Sequence, residues 1–235
     1  MYQPGEGSMH TAQCVYETAL GQSYLSCRAM IDGVPNPRAE KLARKIPECT
    51  QEAGIYQTFE PAEIQLLHAP FGSLTQQDRV AMRWVVEGVA VMAWALGRAE
   101  LPPFATKSEA APVTFALGMF RPGAQEQFSE ASLRDPGEIG MCALSYTALS
   151  RRLEQYQQKP EKLDFAARLK EPEGPRLLLD GVELQDGDLS IDGMPLDQIP
   201  QERFNEVCSI VRERLKALRW LLGHEKNYAA VATIH

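Results

Sequence analysis

The sequence predicts a mainly α domain of α+β composition: several helices around one buried central helix, with a small antiparallel β-meander before the C-terminal helix. Three observations predict it. Residues 80–96 read VAMRWVVEGVAVMAWAL, apolar on nearly every face, as expected for the buried centre of a domain. Phe204, Val207, Cys208, Val211, Leu215, Leu218 and Leu222 form one apolar stripe at helical spacing. Between these segments, Asp180-Gly181, Asp186-Gly187 and Asp192-Gly193 punctuate short strand-like runs. Asp-Gly is the favoured two-residue hairpin turn, because both residues tolerate positive φ.

The elements follow in order. From Thr11 to Ile31, apolar residues recur at roughly helical spacing, and Gly33 with Pro35 stops that helix. Asn36-Pro37 reads as an N-cap with proline at the first helical position. The helix it opens carries Leu42, Ile46 and Cys49, and Pro47 kinks or ends it. A short helix covers Pro61 to His68. Thr75 with Asp78 resembles a capping box, with Asp for the usual Glu, and starts the central helix that Gly97 ends. Leu101-Pro102-Pro103 breaks the chain. A short helix near 108–119 and a Gly/Pro/Gln-rich loop come next. Asp135 as N-cap and Glu138 at the third helical position open a helix through Ile139, Tyr146 and Leu153 that ends near Gln158. Residues 159–175 are charged and proline-rich and read as a linker-like loop. Strands at 176–179, 182–185 and 188–191 form the expected meander, 176–193. The last helix runs from about Gln201 to Leu222, with Gly223 as its C′ residue. Gly7-Ser8 ahead of Met9 has the form of a cloning scar, the alternative being a disordered tail, so the single domain is set at 9–235.

Composition bounds the function. The chain has 235 residues, 44% hydrophobic and 23% charged, enough for a real core. With 31 acidic against 24 basic side chains and a formal charge of -7, it lacks the basic surface that phosphate binding needs. No nucleic acid is expected, and a basic protein partner suits the balance better. Arg83 and Glu87 inside the apolar helix argue against a membrane span. The five cysteines are odd in number and widely spaced, with no C-x-x-C. Neither a zinc knuckle nor a redox pair is indicated, and buried free thiols fit a reducing, cytoplasmic setting. No basic n-region with an apolar run indicates a signal peptide.

Motifs that carry chemistry are scarce. Gly21-Gln22-Ser23-Tyr24-Leu25 lacks the second glycine of a nucleophile elbow and lies mid-helix. Phosphate-loop and dinucleotide fingerprints are absent, and no two of the four histidines are four residues apart. A Cys-His nucleophilic pair is left to the tertiary structure. Asp186, Asp188, Ser190, Asp192 and Asp197 imitate a calcium loop, but Ile191 stands where the loop needs glycine and Asp197 replaces the bidentate Glu. Tandem hairpins account for the same aspartates, so neither a metal nor a cofactor is expected. The remaining constellation is Arg83, Glu87, Glu213 and Arg214, with Trp84, Trp94 and Trp220 nearby. Arg83 and Glu87, four apart, are placed to pair on one face. Buried charge must be paired and hydrogen-bonded. The preferred reading is a structural network. The competing one is a pocket in which Glu87 acts as general base or ligand carboxylate beside the arginines.

Two stretches together resemble the bacterial family known as domain of unknown function 4272. One is the Arg83–Glu87 helix ending Trp94-Ala95-Leu96-Gly97. The other is Asp188-Leu189-Ser190-Ile191-Asp192-Gly193, followed by the helix from Glu213-Arg214-Leu215 through Ala217-Leu218-Arg219-Trp220-Leu221-Leu222-Gly223. The resemblance covers about residues 36–235 and implies the fold more than an activity. Leu215 stands where that family tends to have His, and Arg219 where it tends to have Asn. The tail after Asn227 lacks the family's aspartates.

The expected function is a non-enzymatic protein-binding module that engages another protein through an acidic surface. Its most concrete form is an immunity protein neutralising a basic toxin. Acidic loops at 159–175 and 180–197, with Asp180, Asp186, Asp188 and Asp192, are the expected contact surface. The alternative is an enzyme using a pocket around Glu87 with Arg83 and Arg214.

Overall fold

The computed structural model describes residues 8–121, 123, 130–169, 182–224 and 227–229. Among these, eight helices and a three-stranded antiparallel sheet make a mainly helical fold. The first helices are α1 (Ala12–Ile31), α2 (Pro37–Glu52) and α3 (Pro61–His68). The central helix is α4 (Gln76–Ala95), followed by α5 (Ala110–Ala116), α6 (Pro136–Gln158) and α7 (Phe165–Leu169). Strands β1 (Leu184–Gln185), β2 (Asp188–Ile191) and β3 (Met194–Pro195) precede α8 (Gln201–Leu221).

Local chemistry sets the helix ends. The Thr75 side chain accepts the Asp78 N–H, and the Asp78 carboxylate accepts the Thr75 N–H. This is the reciprocal box expected from the sequence. At the other end of α4, Gly97 takes φ +65°, its N–H meets the Trp94 carbonyl, and the Arg98 N–H meets that of Ala93. Gly223 ends α8 with the same paired bonds, to Trp220 and from His224 to Arg219. Both are Schellman caps, which satisfy carbonyls that helix ends leave bare. Pro47 lies inside α2 and does not end it.

The central position of α4 is real. It packs chiefly against α1 and α8, while α6 packs on α8. Every residue from Val85 to Leu96 is buried. Only the first two turns, with Val80 and Arg83, reach the surface. Among the described residues no helix is long and apolar enough to cross a membrane.

The meander lies slightly later in the chain than expected. β1 pairs with β2 and β2 with β3 through two-residue turns at Asp186-Gly187 and Asp192-Gly193. All four turn residues have positive φ, as a type I′ hairpin requires. The third strand is therefore Met194–Pro195, after the second turn. The expected strand at 176–179 and the Asp180-Gly181 turn lie outside the described residues. The linker-like loop is not featureless: it contains α7, and the Ala166 N–H bonds to the Gly187 carbonyl.

Buried arginine–carboxylate pairs hold loops to helices. Arg28 Nη1 lies 2.5 Å from Asp32 Oδ1, with both side chains buried. Asp32 accepts the N–H groups of Gly72 and Leu74, and Arg28 donates to the carbonyls of Ala69 and Pro70. The α3–α4 loop is thus tied to the end of α1. Burial alone would raise the Asp32 carboxyl, but these donors outweigh it and hold it below its ordinary value. Asp188 is held low in the same way. A carboxylate with a depressed folded pKa stabilises the fold above its unfolded value, and that contribution is lost as pH falls through the folded one. Stability is therefore expected to fall below about pH 3.8. Urea midpoints at pH 6, 4.5, 3 and 2 check this. A midpoint as high at pH 2 as at pH 6 would contradict it.

Candidate functional site

Glu87 and Arg214 meet in the core across 127 residues of chain. Glu87 is 1% exposed and Arg214 0%. Arg214 Nε donates to Glu87 Oε2 at 2.9 Å, and Nη2 lies 2.8 Å from the same oxygen. The Ser108 backbone N–H and hydroxyl donate to Glu87 Oε1 and Oε2, each at 2.8 Å. The other donors of Arg214 reach the carbonyls of Pro102, Pro103 and Thr106 and the Tyr146 hydroxyl. A guanidinium has five N–H donors and a carboxylate about four acceptor positions. Both groups are close to saturation. The pair clamps the segment that turns the chain after α4, where Pro102 and Pro103 leave carbonyls facing inward. A substrate reaching Glu87 would have to displace one of these bonds.

The other two members of the expected set lie elsewhere. Arg83 is exposed, and the described partners of Glu87 are Ser108 and Arg214. The expected Arg83–Glu87 pair is thus replaced by a long-range one, since Arg83 falls on the part of α4 that faces solvent. Glu213 is half-buried beside the pair, and burial raises its carboxyl above the ordinary range. Ser108 and Tyr146 complete the network, and no sequence pattern singles them out.

The expected acidic surface divides. Asp188 is buried, and its carboxylate takes Arg152 in a two-point bond, Nε to Oδ1 at 2.7 Å and Nη2 to Oδ2 at 2.5 Å. It also accepts the N–H groups of Leu163 and Leu189. It is therefore an internal anchor of the meander and not a contact residue. Asp186 is exposed and lies 3.0 Å from Lys162. Asp192 bonds to Arg203, which also holds Glu206 and the Ala105 carbonyl. The Arg203 bonds hold the Asp192 carboxyl below its usual range. Asp180 lies outside the described residues.

Arg203 borders an open groove of about 480 Å³ between the N-terminal part of α8 and Trp84 of α4. Half-buried Trp84 lines it together with Pro200, Glu202 and Glu206. Lys107 Nζ stands 4.4 Å from the centroid of the Trp84 ring, a cation–π distance. At the groove itself Glu202 and Glu206 stand with Arg203 and Lys107, and the excess of acid lies along the chain that leads into α8. Seven carboxylates fall between Val182 and Glu206, where Arg203 is the one basic residue. That segment carries a net of six negative charges, out of the chain's -7. Apart from Asp188 and half-buried Glu206 they are exposed. Sequence reasoning noted the acids of the loops but not the groove, because only folding brings Trp84 to the start of α8.

Cys14 Sγ and His10 Nδ1 lie 3.7 Å apart. Burial raises the Cys14 thiol, the opposite of what a nucleophilic thiolate needs. No family model, curated protein or solved structure matches this chain.

Proposed function

We propose that this chain is a non-enzymatic protein-binding module that engages a basic partner through the acidic face around the start of α8. One observation carries the reading: an aromatic-lined groove at Trp84 opens against the start of α8, where the Val182–Glu206 stretch that holds most of the net negative charge ends. Binding faces need apolar anchors as well as complementary charge, because anchors supply affinity while charge supplies steering and selection. The most concrete form is an immunity protein that covers a basic toxin. The resemblance to the domain of unknown function 4272 family belongs to this proposal, since its two signature helices are α4 and α8. The saturated Glu87–Arg214 pair favours binding over catalysis, because a general base needs a route to substrate.

The test compares two baits, the wild-type chain and a Trp84→Ala/Glu202→Lys variant with the same melting temperature. Both are used to capture proteins from lysate of the source organism at moderate salt. One stoichiometric basic partner, kept by the wild type and lost from the variant, is the expected result. A partner held equally by both baits, or none at all, would overturn the reading.

A further inference from the structure

We infer that Tyr228 is a displaceable plug: the Asn227–Ala229 stretch undocks from a slot facing Gly88 while the helical core stays folded. Tyr228 is 5% exposed, yet its hydroxyl has no hydrogen-bond partner. Its ring meets Trp220 edge-on, with centroids 5.7 Å apart, and Lys216 Nζ stands 4.9 Å from its centroid. The floor of the slot is Gly88 on α4, where any Cβ would run into the Tyr228 hydroxyl oxygen. Ala217 of α8 also faces this spot. Two small residues on facing helices thus make room for a ring.

The slot has room for the hydroxyl but no hydrogen-bond partner for it. A buried donor left unpaired keeps the whole cost of its lost hydration. Phenylalanine would keep the ring contacts without that cost, leaving only the one-atom space of the hydroxyl beside Gly88. Burial, with the negative charges of Glu213 and Glu63 nearby, pushes the phenol well above its ordinary pKa, so only the neutral form fits. Outside the slot the hydroxyl regains water. The docked state is therefore weakened at one atom, whereas the buried pairs elsewhere in the core are fully bonded. Opening of single segments at a free energy below that of global unfolding is the ordinary behaviour of such weakly held elements.

Limited chymotrypsin digestion of the full chain tests this, because the protease cuts after both tyrosine and phenylalanine. Cleavage after residue 228 is followed by mass spectrometry at low urea, and rates are normalised to matching free peptides. The wild-type chain is expected to be cut there faster than it unfolds, at a rate nearly independent of urea. Tyr228→Phe is expected to be cut about tenfold more slowly, since the docked ring no longer strands a hydroxyl. Gly88→Ala, if folded, is expected to be cut faster. Cleavage that follows global unfolding with the same urea dependence would overturn the inference. So would a Tyr228→Phe chain cut as fast as wild type.

Discussion

Replacing Glu87 by Gln is expected to destabilise the fold by about 3–5 kcal/mol, the range found when one partner of a buried ion pair is removed. The shape of the side chain survives this change, so the loss is electrostatic. Arg214 stays charged, 0% exposed, with its counter-ion gone. Water cannot reach it without opening the α4–α8 contact. Arg214→Met acts from the other side. It leaves the Glu87 carboxylate with Ser108 alone, and it strips the carbonyls of Pro102, Pro103 and Thr106 of a shared donor. Removing both charges together, as Glu87→Met/Arg214→Met, is expected to cost much less than the two single losses added, because neither charge is then stranded. Urea denaturation of the four proteins by circular dichroism measures the coupling. Additive losses, or a Glu87→Gln chain within about 1 kcal/mol of wild type, would show that the pair does not hold the core as described.

The second large effect separates two aspartates that look alike in the sequence, each the neighbour of a hairpin glycine or strand residue. Asp188→Asn removes the charge that answers buried Arg152 and weakens the bonds to Leu163 and Leu189. A loss of about 3–5 kcal/mol is expected, together with release of the meander from α6. Asp192→Asn gives up a partly exposed ion pair with Arg203 that solvent screens, so it is expected to cost no more than about 1 kcal/mol. The same urea experiment ranks them. Hydrogen exchange at Leu189 and Ile191 shows whether the meander opens first. Equal losses from the two substitutions would refute the assignment of Asp188 as an internal anchor. The contrast also bears on binding: Asp192 and Glu202 are available to a partner, and Asp188 is not.

Much of this was legible in advance because the deciding contacts are short in sequence. A capping box links residues three apart, a Schellman cap spans six, and a type I′ turn needs only two residues that accept positive φ. Thr75-Asp78, Gly97, Gly223 and the two described Asp-Gly turns therefore act as their residue types imply. The apolar run of α4 likewise required burial wherever it landed. Arg152 left a fainter sign, a charged residue beside Leu149 and Leu153 on an apolar face, which in a folded chain asks for a buried partner.

By itself, then, the sequence determined the caps of the long helices and the two described hairpin turns, that α4 is central, and that the chain is acidic, while α7 and the third strand went unread. The tertiary structure alone decided which charges meet. Glu87 had a cation four residues away in Arg83 but took Arg214, 127 residues on, because Arg83 lies on the exposed N-terminal part of α4 and Glu87 on the part that α8 covers. It also decided that Asp188 is an anchor, that Trp84 lines a groove with Glu202, and that Gly88 makes room for Tyr228. Local propensities act over a few residues, whereas desolvation of a charge depends on every segment that closes over it, and that is known only once the chain has packed.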